Sequence, residues 1–407
     1  QKYGGATVAD PVKIKGVAKR IVDEAKTGTK LVAVVSAMGN STNQLIALAN
    51  QVSSHPNRRE MDMLLTTGER ISIALLSMAM NDLGAQAISF TGSQAGILTD
   101  ESHVNAFIMD MKAFRIDEAL KNNKIVVLAG FQGVSSSTKE ITTLGRGGTD
   151  TTAVAMAAYL KADRCEILKD VEAVFTADPK IVNNAKPLAQ LTYDQLGEMT
   201  FWGSKVLHYR SVELAKRMQV PLYIGPASTI GTQGTFVKTF SEEGKCVMYE
   251  VSKILAINSH EKILRLELEA NTASEAWFKL RNFLDQSEIA FPQILMSDQI
   301  STNLVRICLT GPVEILNAIQ SEVSIKGTVK NLKLLPESLC SVTATCAGST
   351  SPLMAEKILT SLATSNISVF GTFMSPMSIT ALIQTADREK AQRELHRHIM
   401  GASQEQG

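Results

Sequence analysis

Up to about residue 238 the chain alternates short apolar runs with longer stretches whose apolar positions recur every three or four residues. LVAVVS (31–36), QAISF (86–90), KIVVLAG (124–130), RCEIL (164–168) and VPLYIG (220–225) read as strands buried on both faces. Between them QLIALANQV, ERISIALLSMAMNDL, TTAVAMAAYL and SVELAKRM carry helical spacing. That alternation predicts an α/β domain with a mostly parallel sheet. The opening QKYGGATVAD reads as a strand end entering a Gly turn and a helix. So little strand precedes Lys2 that native residues before Gln1 are expected to be missing.

Beyond a polar linker, SEEGKCVMYE (241–250), the pattern changes. ILRLELEA (263–270), the helical ASEAWFKLRNFLDQS, FPQILMS, NLVRICLT and the helical VEILNAIQSEV follow in order. CSVTATCA (340–347), PLMAEKILTSLATS, ISVFGTFMS, SITALIQT and REKAQRELHRHIM repeat that order. Strand, helix, strand, strand, helix, twice, predicts an internal repeat of roughly 70–80 residues in the ferredoxin-like class. The expected domains are 1–240, 251–335 and 336–400, the last two open to strand exchange.

Composition narrows the class. Lys plus Arg number 41 against 40 Asp plus Glu, which leaves no electrostatic footprint for nucleic acid or an anionic membrane. No run reads as a membrane span or a signal peptide, so a cytoplasmic protein is expected. Five cysteines (165, 246, 308, 340, 346) lack any C-x-x-C and read as buried thiols, not a metal site. No P-loop, protein-kinase signature or G-x-S-x-G is present.

Polar segments instead stand where strands end, the edge at which open α/β sheets bind ligands. KYGGATV places Lys2 ahead of Gly4 and Gly5, a cation beside backbone donors suited to a phosphoryl group. VVSAMGNSTNQL offers Ser36 and Thr42, which serve equally well as a helix cap. TTGERISIAL puts Glu69 in what reads as a helix's first turn, where dipole complementation is the plain alternative. LGRGGTDTTA is more specific. Thr149–Thr152 are capping types, Gly147 and Gly148 free backbone amides for close approach, and Arg146 between glycines has a fork for a carboxylate or phosphate. LKDVEAVFTADPK carries Asp170, Asp178 and Lys180, and GSKVLHYRS offers Lys205 at a solvated helix start. His208, with no metal-spaced partner, reads as a packed or surface side chain on a helix, and His396 and His398 read as solvated.

Taken in order, KYGGATVAD, VVSAMGNSTNQL, TTGERIS, LAGFQG, TTLGRGGTDTTA, DVEAVFTADPK and GSKVLH resemble the aspartokinases of the amino-acid kinase superfamily. The C-terminal repeat is similar to that family's paired ACT regulatory domains. The resemblance implies a three-layer αβα sandwich followed by two ferredoxin-like (ACT) modules. It implies transfer of the ATP γ-phosphoryl group to the side-chain carboxylate of L-aspartate, giving 4-phospho-L-aspartate. Lys2 and Asp150 are then catalytic. Ser36, Thr42, Glu69, Phe131, Arg146, Gly147, Gly148 and Thr149 hold the amino acid. Gly4, Gly5, Lys169, Asp170, Phe175, Asp178, Lys180, Lys205 and Val206 hold the nucleotide with its Mg2+, no protein metal site being implied. Partners are L-aspartate, ATP, a lysine or threonine effector, and a second copy joined through the ACT halves.

Departures from the family pattern are specific. Ala6 and Thr7 follow the double glycine in place of hydroxyl pairs, Thr149 replaces Ser, Lys169 replaces Thr, and Lys180 replaces Arg. Ala173 stands where Gly is usual, costly if that backbone has φ above zero. ANTASEA (270–276) and TFMSPMS (372–378) lack the usual effector segments, so weak or altered inhibition is expected. The rival readings are a kinase of another small carboxylate and a feebly active regulatory subunit.

Overall fold

The computed structural model describes residues 1–228, 234–239, 253–287, 289–325 and 332–400. The linker 241–250 and Cys246, and with them the expected boundary near residue 245, lie outside the described residues. The chain forms two units. The first holds Gln1–Val174, Pro187–Thr200 and Lys205–Gly244; the second holds Phe175–Lys186, Phe201–Ser204 and Lys245–Gly407.

In the first unit an eight-stranded sheet runs Gln190–Leu191, Thr235–Val237, Leu222–Pro226, Cys165–Lys169, Lys2–Tyr3, Val32–Val35, Ile125–Ala129, Ala87–Phe90. All five strands expected from apolar runs are present. The pairing is parallel except between Leu222–Pro226 and Thr235–Val237. Tyr3 lies level with Val35 and Leu168, and Val35 with Ala129, so four adjacent strands end together at their C-terminal edge. The chain leaves the short strand Lys2–Tyr3 toward one side first and returns on the other. That is the switch-point geometry at which such sheets open a crevice.

Strand alternation divides the faces. Tyr3, Ala33, Val35, Val127 and Ala129 join one apolar core with Ile14, Val17 and Ile21 of the helix Pro11–Ala25 and Ile73, Leu76 and Met80 of the helix Arg58–Asp82. The helix Gly148–Leu160 lies against strands Lys2–Tyr3, Val32–Val35 and Cys165–Lys169 and beside helix Tyr209–Met218. Its first ten residues are almost wholly buried, so small side chains (Thr, Ala, Val) suit every direction around it. A smaller sheet of Ile108–Met111, Ile97–Thr99, Gln132–Ser135 and Ile141–Thr143 was not evident from the pattern. The polar SSSTKEIT proves to be the turn and return strand of its hairpin.

The helix Arg58–Asp82 starts eight residues before Thr66, where TTGERIS suggests an opening. It is the one helix among the described residues long and apolar enough, by length and composition, to cross a membrane, contrary to the expectation that no run is. Its Leu65, Ile73, Leu76 and Met80 face are core of the unit.

The second unit repeats strand, helix, strand, strand, helix as expected, in one sheet ordered Gln293–Ser301, Leu304–Thr310, Ile263–Glu269, Leu339–Cys346, Ser378–Gln384, Val369–Met374. One strand crosses between the repeats. Ile254–Asn258 precedes the first repeat but pairs antiparallel with Leu339–Cys346 of the second. Leu332–Leu334, late in the chain, pairs with Ile263–Glu269. Segment 175–186 belongs to this unit: Ala177 and Val182 join its apolar core, and Ile257 N donates to Thr176 O at 2.7 Å. His396, expected in solvent, is buried with its Nε2 3.0 Å from Thr176 Oγ1, and His398 Nδ1 lies 2.8 Å from Ser361 Oγ. The four described cysteines are buried, free thiols.

Candidate active site

The strand ends and the start of helix Gly148–Leu160 bring together most of the expected residues of the first unit. Lys2 Nζ lies 2.7 Å from Asp150 Oδ1, and each residue is only 6% exposed. Burial alone would raise the Asp150 carboxyl. The charges of Lys2 and Lys169, with bonds from Lys2 and the His208 backbone, outweigh it and hold the group below the usual carboxylate range. Lys169, closing its strand, has its ammonium pulled below the ordinary lysine value, first by burial and also by Lys2, while Asp150 and Asp170 oppose. Its Nζ donates to the Lys205 carbonyl at 3.2 Å.

A chain of contacts runs on from that pair. Thr149, next to Asp150, accepts a 3.0 Å hydrogen bond from Ser36 Oγ. The following residue, Ala37, donates its backbone N–H to Glu69 Oε1 at 3.0 Å. Glu69 is 3% exposed, and its Oε2 has no hydrogen-bond partner among the described residues. Burial pushes its carboxyl from the ordinary 4.5 to about 7. A buried carboxylate with one bare oxygen is a receptor for a cation.

Several readings change. Glu69 lies mid-helix, not in a first turn, so dipole complementation does not account for it. Gly68 beside it is there for approach: a Cβ would sit 2.8 Å from Ala37 Cβ. The threonines of TDTT do not cap. The helix begins at Gly148 with Gly147 ahead of it at φ +72°, and Thr151 and Thr152 hydroxyls bond back to the Gly147 and Gly148 carbonyls. Gly147 is required by His208, whose Cβ would lie 2.2 Å from an added methyl, so a packed neighbour and not only a ligand claims that space. His208 itself caps helix Tyr209–Met218, its Nδ1 accepting from Arg210 N at 3.3 Å. Ala173 stays outside the left-handed region, so its replacement of Gly carries no strain.

Of the rest, Phe131 takes φ +69° directly after the strand, with its N–H donating to Thr152 Oγ1 at 3.2 Å, a bond the sequence did not suggest. Arg146 is exposed on the loop ahead of the helix, and Thr42 is half-buried in the first turn of helix Ser41–Val52. Gly4 lies beside the Lys2 ammonium, and the Gly5 carbonyl accepts from Gly39 N at 3.0 Å. Asp170 and Lys205 are exposed, and Val206 is half-buried. Phe175, Asp178 and Lys180 are not part of this first-unit cluster. They fall in segment 175–186 of the second unit, where the Asp178 carboxylate accepts from Lys180 N at 2.9 Å. Among the described residues no group of three or more His, Cys, Asp or Glu is gathered as a metal site.

An open α/β sheet whose crevice holds a buried lysine–aspartate pair, a second lysine and an unsatisfied glutamate fits a kinase of small molecules, and residues 1–226 match the model of the Amino acid kinase family. The aspartokinase of Mycolicibacterium smegmatis is 41% identical over 405 residues, covering 97% of this chain and 94% of that protein. That of Corynebacterium glutamicum is 40% identical with the same coverage. Among solved structures, E. coli aspartokinase III in complex with aspartate and ADP (R-state) superposes with a TM-score of 0.77 at 21% identity, covering 98% of this chain and 99% of that one. The chain belongs to the aspartokinase family.

Proposed function

We propose that the first unit transfers the γ-phosphoryl group of ATP to the side-chain carboxylate of L-aspartate in the cytoplasm, yielding 4-phospho-L-aspartate and ADP. The observation that carries this reading is Glu69, buried with one bare oxygen, joined through Ala37, Ser36 and Thr149 to the buried Lys2–Asp150 pair. Glu69 receives the substrate ammonium and Arg146 its α-carboxylate. Ser36, Thr42, Phe131 and Thr149 line the remainder, with Gly147 and Gly148 turning the loop. Gly4, Gly5, Lys169, Asp170, Lys205 and Val206 face the nucleotide.

The chemistry needs no general base. A carboxylate with a pKa near ~4 is ionised at neutral pH and attacks Pγ directly. The new O–Pγ bond forms as the bond from Pγ to the ADP oxygen breaks, and the electron pair leaves with ADP. No proton moves. The obstacle is bringing an anion onto a polyanion, which positioned cations relieve. Lys2, kept in place by Asp150, meets the transferring group. Bound with the nucleotide phosphates, a magnesium ion would supply charge neutralisation there.

The second unit is the regulatory half, spanning modules 251–335 and 336–400. A small amino acid, lysine or threonine, is the effector class, and a second copy docks through these modules. E. coli aspartokinase III has been solved in complex with lysine and aspartate (T-state). Because 270–276 and 372–378 depart from the family's effector segments, inhibition is weak or altered. Strong inhibition at sub-millimolar lysine or threonine would contradict that.

The test is hydroxylamine trapping with ATP, magnesium and L-aspartate, beside L-glutamate and an Arg146→Ala variant. Hydroxamate formed from aspartate alone and lost in the variant supports the reading. No hydroxamate from a folded protein overturns it in favour of a non-catalytic regulatory subunit. Hydroxamate from another acid reassigns the acceptor.

A further inference from the structure

Seven residues before Glu69, on the same face of the helix Arg58–Asp82, sits a second carboxylate that the proposed chemistry does not use. Asp62 is 0% exposed. Its oxygens accept from Thr143 Oγ1 at 2.5 Å, His103 Nδ1 at 2.6 Å and the Val104 backbone N–H at 3.1 and 3.2 Å. Since a carboxylate only accepts, the imidazole proton lies on Nδ1. Val104 takes φ +70°, a left-handed conformation that a β-branched residue avoids unless its surroundings impose it.

Both anchored segments lead to the same place. Thr143 opens the TLGRGG loop. The turn at 104–105 is the surface on which Gly145 rests: at φ +71°, a Cβ there would lie 2.7 Å from Asn105 Oδ1 and 3.0 Å from the Val104 carbonyl. The next residue is Arg146. On the other side the Arg210 guanidinium donates to the Leu144 carbonyl at 2.9 Å and the Ala106 carbonyl at 2.6 Å, and Ala106 N–H donates to the Thr143 carbonyl at 2.8 Å.

We propose that Asp62 is a positioning residue for amino-acid binding: by tying Thr143 and the 103–105 turn to the helix that carries Glu69, it fixes Arg146 at a set separation from Glu69. The two groups assigned to the substrate's α-carboxylate and α-ammonium are thereby held in register by one buried anion. The inference rests on the proposed roles of Arg146 and Glu69.

Asp62→Asn keeps the shape and removes the charge and one acceptor, leaving the His103 and Thr143 donors competing. It is expected to raise the KM for aspartate at least tenfold, with kcat at saturating aspartate within threefold and the KM for ATP within twofold. The same substitution in an Arg146→Lys background, where the fork is already lost, is expected to raise the aspartate KM by a much smaller factor. Equal changes in both KM values, or an undiminished effect in the Arg146→Lys background, would show a general scaffold role and overturn the inference. Should Asp62→Asn fold poorly, Thr143→Val removes one tie while leaving the His103 pair. It must then raise the aspartate KM alone, and a null result there also counts against the inference. Arg146→Ala run alongside separates the two levels: unimpaired aspartate binding in that variant defeats the proposed substrate site itself, not the tie to Asp62.

Discussion

The two units bury different kinds of polar group. In the first, Lys2, Arg20, Asp62, Glu69, Asp150 and Glu166 are all nearly inaccessible. In the second, the described buried polar residues are neutral or histidine: Thr310, Ser341, Thr343, Thr345, Ser378, Thr380 and His396 among them. Strand Leu339–Cys346 alternates Cys340, Val342 and Ala344 in its apolar core with Ser341, Thr343 and Thr345, and Thr343 and Thr380 share a 2.7 Å hydroxyl bond across strands. A hydroxyl pair satisfies itself at small desolvation cost, whereas a buried ion is stable only in a constructed surrounding. Where charge is buried in this chain, it marks the unit in which chemistry is proposed.

The hardest test of that contrast is Lys2→Met. It removes the ion-pair partner of the buried Asp150, leaving only the Lys169 charge and the His208 backbone bond, and should cost about 3–5 kcal/mol of stability. It also removes the cation assigned to the phosphoryl group, so kcat should fall on the order of a thousandfold or more. Thermal melts and steady-state rates measure the two effects. A variant retaining most of its activity would break the catalytic assignment.

Glu69→Gln separates function from stability. Burial raises the folded carboxyl from 4.5 to about 7, so its stabilising contribution is complete below pH 4.5 and is lost as pH rises through 7. Above pH 7 the ionised group therefore opposes folding, by about 3 kcal/mol. Removing the charge should raise the melting temperature at pH 8 while weakening aspartate binding on the order of a hundredfold. In the unaltered protein the apparent KM for aspartate should fall as pH rises from 6 to 8, because only the ionised form pairs with an ammonium. A flat profile would deny Glu69 that role.

Smallest of the three is Thr343→Val in the second unit, which leaves the Thr380 hydroxyl without its partner. It should cost about 1 kcal/mol and leave kcat unchanged. A loss comparable with Lys2→Met would erase the distinction between the units.

The parallel strands were legible because each is a short continuous apolar run, and the polar segments beside them singled out Lys2, Ser36, Thr149 and Asp150, whereas Phe131 and Lys169 came only from the family resemblance. Thr66, Thr67 and Gly68 misled because they look like a helix start. Their true setting depends on Ala37, thirty-one residues away, against which Gly68 packs. The small sheet was missed because its strands are three or four residues long and its hairpin turn is polar. Nor could periodicity show that segment 175–186 packs with the C-terminal unit, since Ala177 and Val182 meet residues as distant as Leu395 in one core. Asp62 had a signal, its seven-residue spacing from Glu69 on one helix. Its partners at 103, 104 and 143 are fixed only by tertiary contact.

The exchange of strands within the second unit also has a consequence during synthesis. Ile254–Asn258 leaves the ribosome roughly eighty residues before the strand Leu339–Cys346 with which it pairs. At about 5–20 residues per second that is a delay of roughly 4–16 seconds, during which an apolar ILAI edge has no partner. The first repeat waits likewise for Leu332–Leu334. The second repeat is therefore not a separable cassette. A chain stopped short of Thr343 leaves Ile254–Asn258 unpaired, exposing a ready template for association with other nascent chains.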